Sequence, residues 1–219
     1  MKHPNIIKIV CHDIGRHLGC YGVKSVNSNA IDSLAKNGIL FKNSFATSPG
    51  CSPSRAAIAT GMYPHNTGVL GLAHAHFGWS LDKKINHIAK YFSKNGYTSI
   101  LFGLQHVTYH EKTLGFNKIF PERPADEVLK NITKIIDSKI FKKPFYAEVN
   151  FFEPHRPFDY GGVKPDKSKG VYIPKYIPKN IYSRREFAEM QGAIKKMDDT
   201  VFKIINLLKK KNLYENTII

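Results

Sequence analysis

No stretch of this 219-residue sequence approaches the roughly 18 consecutive apolar residues that a membrane-spanning helix needs. No spanning helix and no membrane partner are expected within these residues. No secretory leader is visible: Met1 to Asn5 run straight into the strand-like segment Ile6–Val10, without a longer apolar region or a small-residue cleavage site. As given, the chain is expected to be cytoplasmic, or periplasmic or secreted if a leader has been lost. Cysteine is scarce. Cys11, Cys20 and Cys51 make an odd count with no metal-type spacing, which excludes a disulfide framework in a chain of this length. Cys11 and Cys20 are expected to pack as small apolar groups. Internal repeats and low-complexity segments are absent too.

Acidic residues are few, 17 against 33 lysines and arginines, giving a net charge of +16. Such a balance admits a polyanion partner, either nucleic acid or a sulfated glycan. A lysine-rich composition, with a more acidic C-terminal half missing, explains it as well. The lysines are scattered except at 209–211, where they suit the negative end of a helix dipole, and this favours the second explanation. No recognisable binding motif accompanies the charge, so nucleic acid is not an expected partner.

What is present is an ordinary globular composition, 42% hydrophobic and 23% charged, enough for one sizeable core. Strand-like and helix-like segments alternate, which predicts an α/β fold with a mostly parallel sheet flanked by helices on both faces. Strands are expected at 5–11, 40–46, 97–102 and 144–152, and helices at 28–36, 52–62, 85–93 and 125–138. A Pro/Gly/Lys-rich loop is expected over 154–179. Ser183 is read as the cap of a long helix to about Lys211, with Glu186 completing a capping box. Asn216 to Ile219 reads as the start of another buried strand.

The most specific local pattern is Cys51-Ser52-Pro53-Ser54-Arg55. A thiol at the mouth of a helix sits among unpaired N–H groups at the positive dipole end, a ready site for a sulfate or phosphate ester. Arg55, one turn on, adds a fork-shaped cation for an oxyanion. From the residues alone this is either a cysteine nucleophile or a buried cysteine near a surface arginine.

The longer context resembles a known family. Phe45–His65 (FATSPGCSPSRAAIATGMYPH) is similar, almost position for position, to the signature of the sulfatases, formylglycine-dependent hydrolases of the alkaline-phosphatase-like superfamily. The resemblance implies that a maturation enzyme oxidises Cys51 to formylglycine, whose hydrated aldehyde attacks sulfur. Ile6–Gly22 (IIKIVCHDIGRHLGCYG) resembles the family's first strand and metal segment, where two aspartates usually bind a divalent cation, normally calcium. Asp13 carries over as a metal ligand alongside Cys51, whereas His12 matches by position only, because calcium prefers oxygen donors. A smaller ligand count, another metal, or a His12 that merely orients Asp13 all remain open.

Ser99–His106 (SILFGLQH) resembles the segment in which a lysine binds sulfate and a histidine assists the nucleophile. His106 carries over, Leu104 replaces the lysine, and Gln105 is left as a neutral donor to substrate. Tyr146–Pro157 (YAEVNFFEPHRP) places His155 as proton donor to the leaving group. Glu153 and Arg156 are read as loop and rim residues, and His74, His76 and His110 either as substrate contacts or, on the simpler reading, as exposed loop histidines.

Outside these motifs, Gly68–His74, Tyr172–Asn180, Ser183–Glu186 and Met197-Asp198 resemble the N-sulfoglucosamine sulfohydrolase (sulfamidase) branch. That implies a sulfated sugar or glycosaminoglycan substrate, cleaved at S–O or S–N. The resemblance covers residues 1–219 as the N-terminal portion of a catalytic domain. The family's next metal-ligand segment and C-terminal subdomain would lie beyond Ile219, so this polypeptide alone is expected to be inactive, or to act only with that second half. Two further readings share the residues: a phosphonate monoester or phosphodiester hydrolase using the same site, and a non-catalytic basic glycan-binding fragment.

Overall fold

A computed structural model describes residues 3–74, 76, 78–138, 141 and 144–219. Its frame is a five-stranded sheet built from β1 (Asn5–Val10), β2 (Thr98–Gly103), β3 (Lys118–Phe120), β4 (Phe145–Asn150) and β5 (Thr217–Ile218). The strand order is β3-β2-β4-β1-β5, and every pair is parallel. The helices are α1 (Asn29–Asn37), α2 (Cys51–Thr60), α3 (Pro64–Thr67), α4 (Ile88–Lys94), α5 (Ala125–Ile135) and α6 (Ile181–Lys210). None is long and apolar enough to cross a membrane.

Strand periodicity divides the helices between two faces. On one face Ile7, Ile100, Phe102, Phe145, Ala147 and Val149 join a core with Ala30 of α1, Val128 and Ile132 of α5, and Ile194, Met197 and Val201 of α6. On the other, Tyr146 of β4 stacks on Phe92 of α4, with ring centroids 4.6 Å apart. Ser99 Oγ donates to the Ala89 carbonyl on that same side at 2.9 Å. The sheet is thus covered on both faces, as parallel sheets require.

Beneath α2 and α4 the sheet carries charge. Glu148, in mid-strand, pairs with Lys8 of β1 at 2.7 Å and accepts from the Tyr146 hydroxyl at 2.5 Å. Burial raises the Glu148 carboxyl, but Lys8 and His87 outweigh it and leave the group below the usual carboxylate range. His87 Nε2 lies 3.7 Å from Glu148, and its Nδ1 accepts from the Ala89 N–H, capping α4. This cap explains why α4 begins at Ile88 rather than at Ile85.

Long-range caps fix two further helix starts. Asp198, buried within α6, accepts from the N–H groups of Ala30 and Ile31, both at 2.9 Å, and so holds the N-terminus of α1. At α6 the cap is Asn180, which accepts from Ser183 N–H while the Ser183 hydroxyl accepts from Asn180 N–H. The capping box therefore sits three residues earlier than expected, with Ser183 as its inner partner. The strand expected at 40–46 is absent. This segment is irregular, its Phe41 and Phe45 face solvent, and it is not part of the five-stranded sheet. The edge strand β5 forms where the sequence predicted it, parallel to β1.

Burial holds the His87 pKa down, from 6.5 to about 4. Its folded-state pKa lies below its unfolded value, so stability is lost as pH falls between these limits. The slope is about 1.4 kcal/mol per pH unit for one group. His87→Asn keeps an acceptor for the Ala89 N–H and removes the titration. Denaturation midpoints measured from pH 7 to pH 4 should decline less steeply in this variant, by about one proton's worth of slope.

Candidate active site

The carboxyl ends of β1, β2 and β4 converge at one edge of the sheet, the position where open α/β sheets bind ligands. Past the strand ends the β1–β4 ladder continues through Phe151 N–H to the Val10 carbonyl at 2.9 Å and His12 N–H to the Glu153 carbonyl at 3.2 Å. This zipper places His12 and Asp13 against His155. The β2 end is tied to β4 by the Asn150 amide, which donates to the Leu104 carbonyl at 2.7 Å. Gly103 is obligatory at this crossing, because its φ is +83° and a Cβ would lie 1.9 Å from the Asn150 carbonyl oxygen.

Asp13 and His106, the residues that turn away from the strand ends, both adopt left-handed backbone conformations, with φ of 47° and 53°. Such conformations are uncommon for side chains other than glycine and tend to cluster at functional sites. His12 is 2% exposed. Its Nδ1 lies 3.0 Å from Asp13 Oδ1, while its Nε2 has no partner. The other Asp13 oxygen lies 3.6 Å from His155 Nε2. His155 Nδ1 donates to the Arg156 carbonyl, which fixes the tautomer at that nitrogen. The His12 and His155 rings meet edge to face at 4.5 Å, and His106 approaches His12 at 5.6 Å.

Cys51 is the first residue of α2, preceded by extended Gly50, and no side chain caps the helix. Pro53 has no N–H and Ser54 N–H donates to the Gly50 carbonyl at 3.1 Å, which leaves Cys51 and Ser52 N–H as the first-turn donors with no side-chain cap. Ser52 anchors the neighbouring loop by accepting from Ala73 N–H at 3.0 Å, which brings His74 to the site. Arg55, one turn along, is buried, and its Nη2 has no partner. Burial depresses its pKa, against the opposing pull of Cys51, Cys11, Glu148 and Asp13. A buried guanidinium with an orphaned nitrogen suits an anion, since leaving such a charge unpaired is expensive. The other thiols are inert. Cys11 packs against the main core and burial pushes its pKa up to about 11, and Cys20 is raised by burial and by Asp32.

His106 is held neutral. Burial, together with the charges of His74 and Arg55, pushes its pKa down to about 3, and neither ring nitrogen has a partner. Burial also lowers His12, with the Asp13 bond opposing. One donor atom each from His12, Cys51 and His106 lies within 4.8 Å of the others, and so does a second set from His12, Asp13 and His155. Asp13 is the sole carboxylate in either grouping. Calcium takes six to eight oxygen ligands, and the nitrogen and sulfur donors gathered here do not fit that requirement.

Five of the expected residues, Asp13, Cys51, Arg55, His106 and His155, therefore meet in one place, with His12 among them. Gln105 has a different job. Its carbonyl oxygen accepts from Val107 and Thr108 N–H at 2.6 and 3.0 Å, and its amide donates to the Thr108 carbonyl at 2.6 Å, so the side chain braces its own turn. Glu153 is not a loop residue at the rim. It is 1% exposed and its Oε1 accepts from Ala125 N–H at 3.0 Å, capping α5. Arg156 does lie at the surface, paired with Glu186. His74, expected as a plain loop histidine, tilts over His106 with ring centroids 4.3 Å apart.

One residue escaped sequence reasoning. Arg123, beyond the end of β3, lies close enough to lower both His74 and His106, and so brings a cation to the side where Leu104 replaces the expected lysine. Only the missing lysine hinted that a cation should be sought elsewhere. Beside Asp13 a cleft opens, lined by Arg16, His17, Tyr21, Tyr172 and Tyr176.

The sulfatase family model matches residues 4–219. This chain belongs to the sulfatase family. Human N-sulphoglucosamine sulphohydrolase is 25% identical over 98% of the chain, and an ulvan-active sulfatase of Formosa agariphila is 34% identical over 82% of it. The chain spans about half or less of these relatives, 49% and 35% of their lengths. A solved structure from work on glycosaminoglycan metabolism by Bacteroides thetaiotaomicron shares the fold at a TM-score of 0.79. It is 20% identical, and the match covers 99% of this chain and 60% of that one. The parallel sheet with helices on both faces is therefore the alkaline-phosphatase-like arrangement of the sulfatases.

Glu153 joins the site to α5, which makes it a test of the frame. Burial raises its pKa, against the Ala125 N–H bond. Glu153→Gln preserves the acceptor and should be near neutral in urea denaturation. Glu153→Ala orphans the Ala125 N–H and should lose about 1–2 kcal/mol.

Proposed function

We propose that this chain carries the nucleophile-bearing part of a sulfuric ester or sulfamate hydrolase acting on a sulfated saccharide. The observation that supports this most directly is the position of Cys51, half-exposed at the open N-terminus of α2, one turn above buried and unpaired Arg55, with His12 and His106 beside it. The thiol is accessible at a helix mouth suited to an anion, so it fits conversion to formylglycine by a maturation enzyme. Once present, formylglycine supplies the hydrated aldehyde that acts as nucleophile toward sulfur.

The remaining roles belong to the chain's own residues. Arg55 and the first-turn N–H groups of α2 hold the sulfate oxygens and favour the charge that builds on them. Arg123, whose charge reaches His74 and His106, adds a second cation near the site. Neutral His106 takes a proton from the attacking hydroxyl. His155, oriented by its Nδ1 bond to the Arg156 carbonyl and flanked by Asp13, acts in its doubly protonated form and delivers the Nε2 proton to the departing oxygen or nitrogen. The cleft beyond Asp13, with its tyrosines and Arg16, suits the face of an anionic sugar. Relatives named for N-sulphoglucosamine and for ulvan support a sulfated glycan as the substrate class.

Co-expression with a formylglycine-generating enzyme should lower the mass of the Cys51 peptide by the difference between a thiol and an aldehyde side chain. An unchanged mass in correctly folded protein would refute the assignment. In converted, active protein, His155→Ala should slow hydrolysis of a sugar sulfate by about 10²–10⁴-fold. An aryl sulfate with a good leaving group should be affected far less. Preference for aryl phosphonates over aryl sulfates would move the chain to phosphorus chemistry.

A further inference from the structure

We infer that, before any conversion of Cys51, the chain binds one borderline-soft transition-metal ion of the zinc class through Cys51 Sγ, His12 Nε2 and a ring nitrogen of His106, with Asp13 holding His12 from behind. This site does not depend on the sulfatase reading of Cys51. It uses the thiol that formylglycine formation would remove, so metal-loaded and converted chains are alternative forms.

The donors are already gathered. One donor atom from each of Cys51, His12 and His106 lies within 4.8 Å of the others, and tetrahedral zinc with bonds near 2.0–2.3 Å places its ligands ~3.4–3.7 Å apart. Side-chain rotations of an ångström or so close the difference. His12 Nε2 and both nitrogens of His106 are buried without partners, an arrangement that polar groups rarely keep unless something binds them. The Asp13–His12 contact at 3.0 Å reproduces the carboxylate–histidine pairing that orients ligating imidazoles.

Three protein ligands and one open position form the usual plan of an exchangeable zinc site, and a mixed sulfur and nitrogen set selects zinc or cobalt over calcium and magnesium. Arg55 opposes the ion electrostatically, and binding releases the thiol proton to solvent. His155 and His74, at the edge of the cluster, remain outside the ligand set.

Cobalt provides a direct test because it reports sulfur ligation spectroscopically. Titrating the reduced, metal-free 219-residue chain with Co²⁺ should give one equivalent of binding. It should also produce a near-ultraviolet sulfur-to-cobalt absorption and the visible bands of a four-coordinate ion. One equivalent of Zn²⁺ should erase both signals, and a large excess of Ca²⁺ should erase neither. Cys51→Ser should abolish the sulfur band. His12→Gln and His106→Gln should each weaken binding at least tenfold. Asp13→Asn should weaken it about 10–100-fold while leaving the spectrum intact, which a residue ligating the metal directly would not do. The inference is overturned if wild-type protein shows no sulfur band, if the band survives in Cys51→Ser, or if Ca²⁺ but not Zn²⁺ raises the melting temperature. Circular dichroism of each variant separates a lost ligand from a lost fold.

Discussion

Everything at the site hangs on the parallel pairing of β1 with β4 at the middle of the sheet. The ladder runs in register from Ile6 opposite Tyr146 to Val10 opposite Asn150, and then continues for two more backbone bonds beyond the strands. Parallel strands end at the same edge, so their exit loops are forced together. His12 and Asp13 leave one strand, and Glu153 and His155 leave the other. Without those last two bonds the loops would diverge, and Asp13 could not face two histidines.

The second constraint is a tension between burial and charge. Arg55 lies buried under the helix mouth with part of its guanidinium unsatisfied, while a neutral imidazole and a thiol stand close by. A core designed only for stability would not leave these groups unpaired. The strand residues nearby show what satisfaction looks like: Glu148 pairs with Lys8 and accepts from the Tyr146 hydroxyl. The contrast within one sheet face separates structural polarity from polarity reserved for a ligand.

The same contrast reassigns several motif residues. Asp198 and Met197, part of the sulfamidase-like pattern, cap α1 and fill the core, so that part of the resemblance reflects the frame. Tyr172 and Tyr176, from the same pattern, line the cleft beside Asp13 and lie where a substrate could read them. Gln105 and Glu153 belong to the frame as well, each absorbed by backbone N–H groups that lacked other partners. The departure from the family at His12 gains a physical sense: an imidazole beside a thiol and a second imidazole makes a nitrogen and sulfur donor set, with the aspartate behind it.

The sequence by itself determined most of the alternation of strands and helices, though not β3 or the irregular course of residues 40–46, together with the family and most of the residues that meet at the sheet edge. Buried strands announce themselves by apolar runs, and motif spacing is local information. It also located Cys51 at a helix start, because proline in the first turn and Gly61 after the end are short-range signals. Only the tertiary structure decided which polar groups were already satisfied. Caps such as Asp198 on α1 and His87 on α4, the irregular course of residues 40–46, and the arrival of Arg123 and His74 all depend on partners distant in the chain. Hydrogen-bond satisfaction and desolvation are properties of the assembled environment, and no local pattern encodes them.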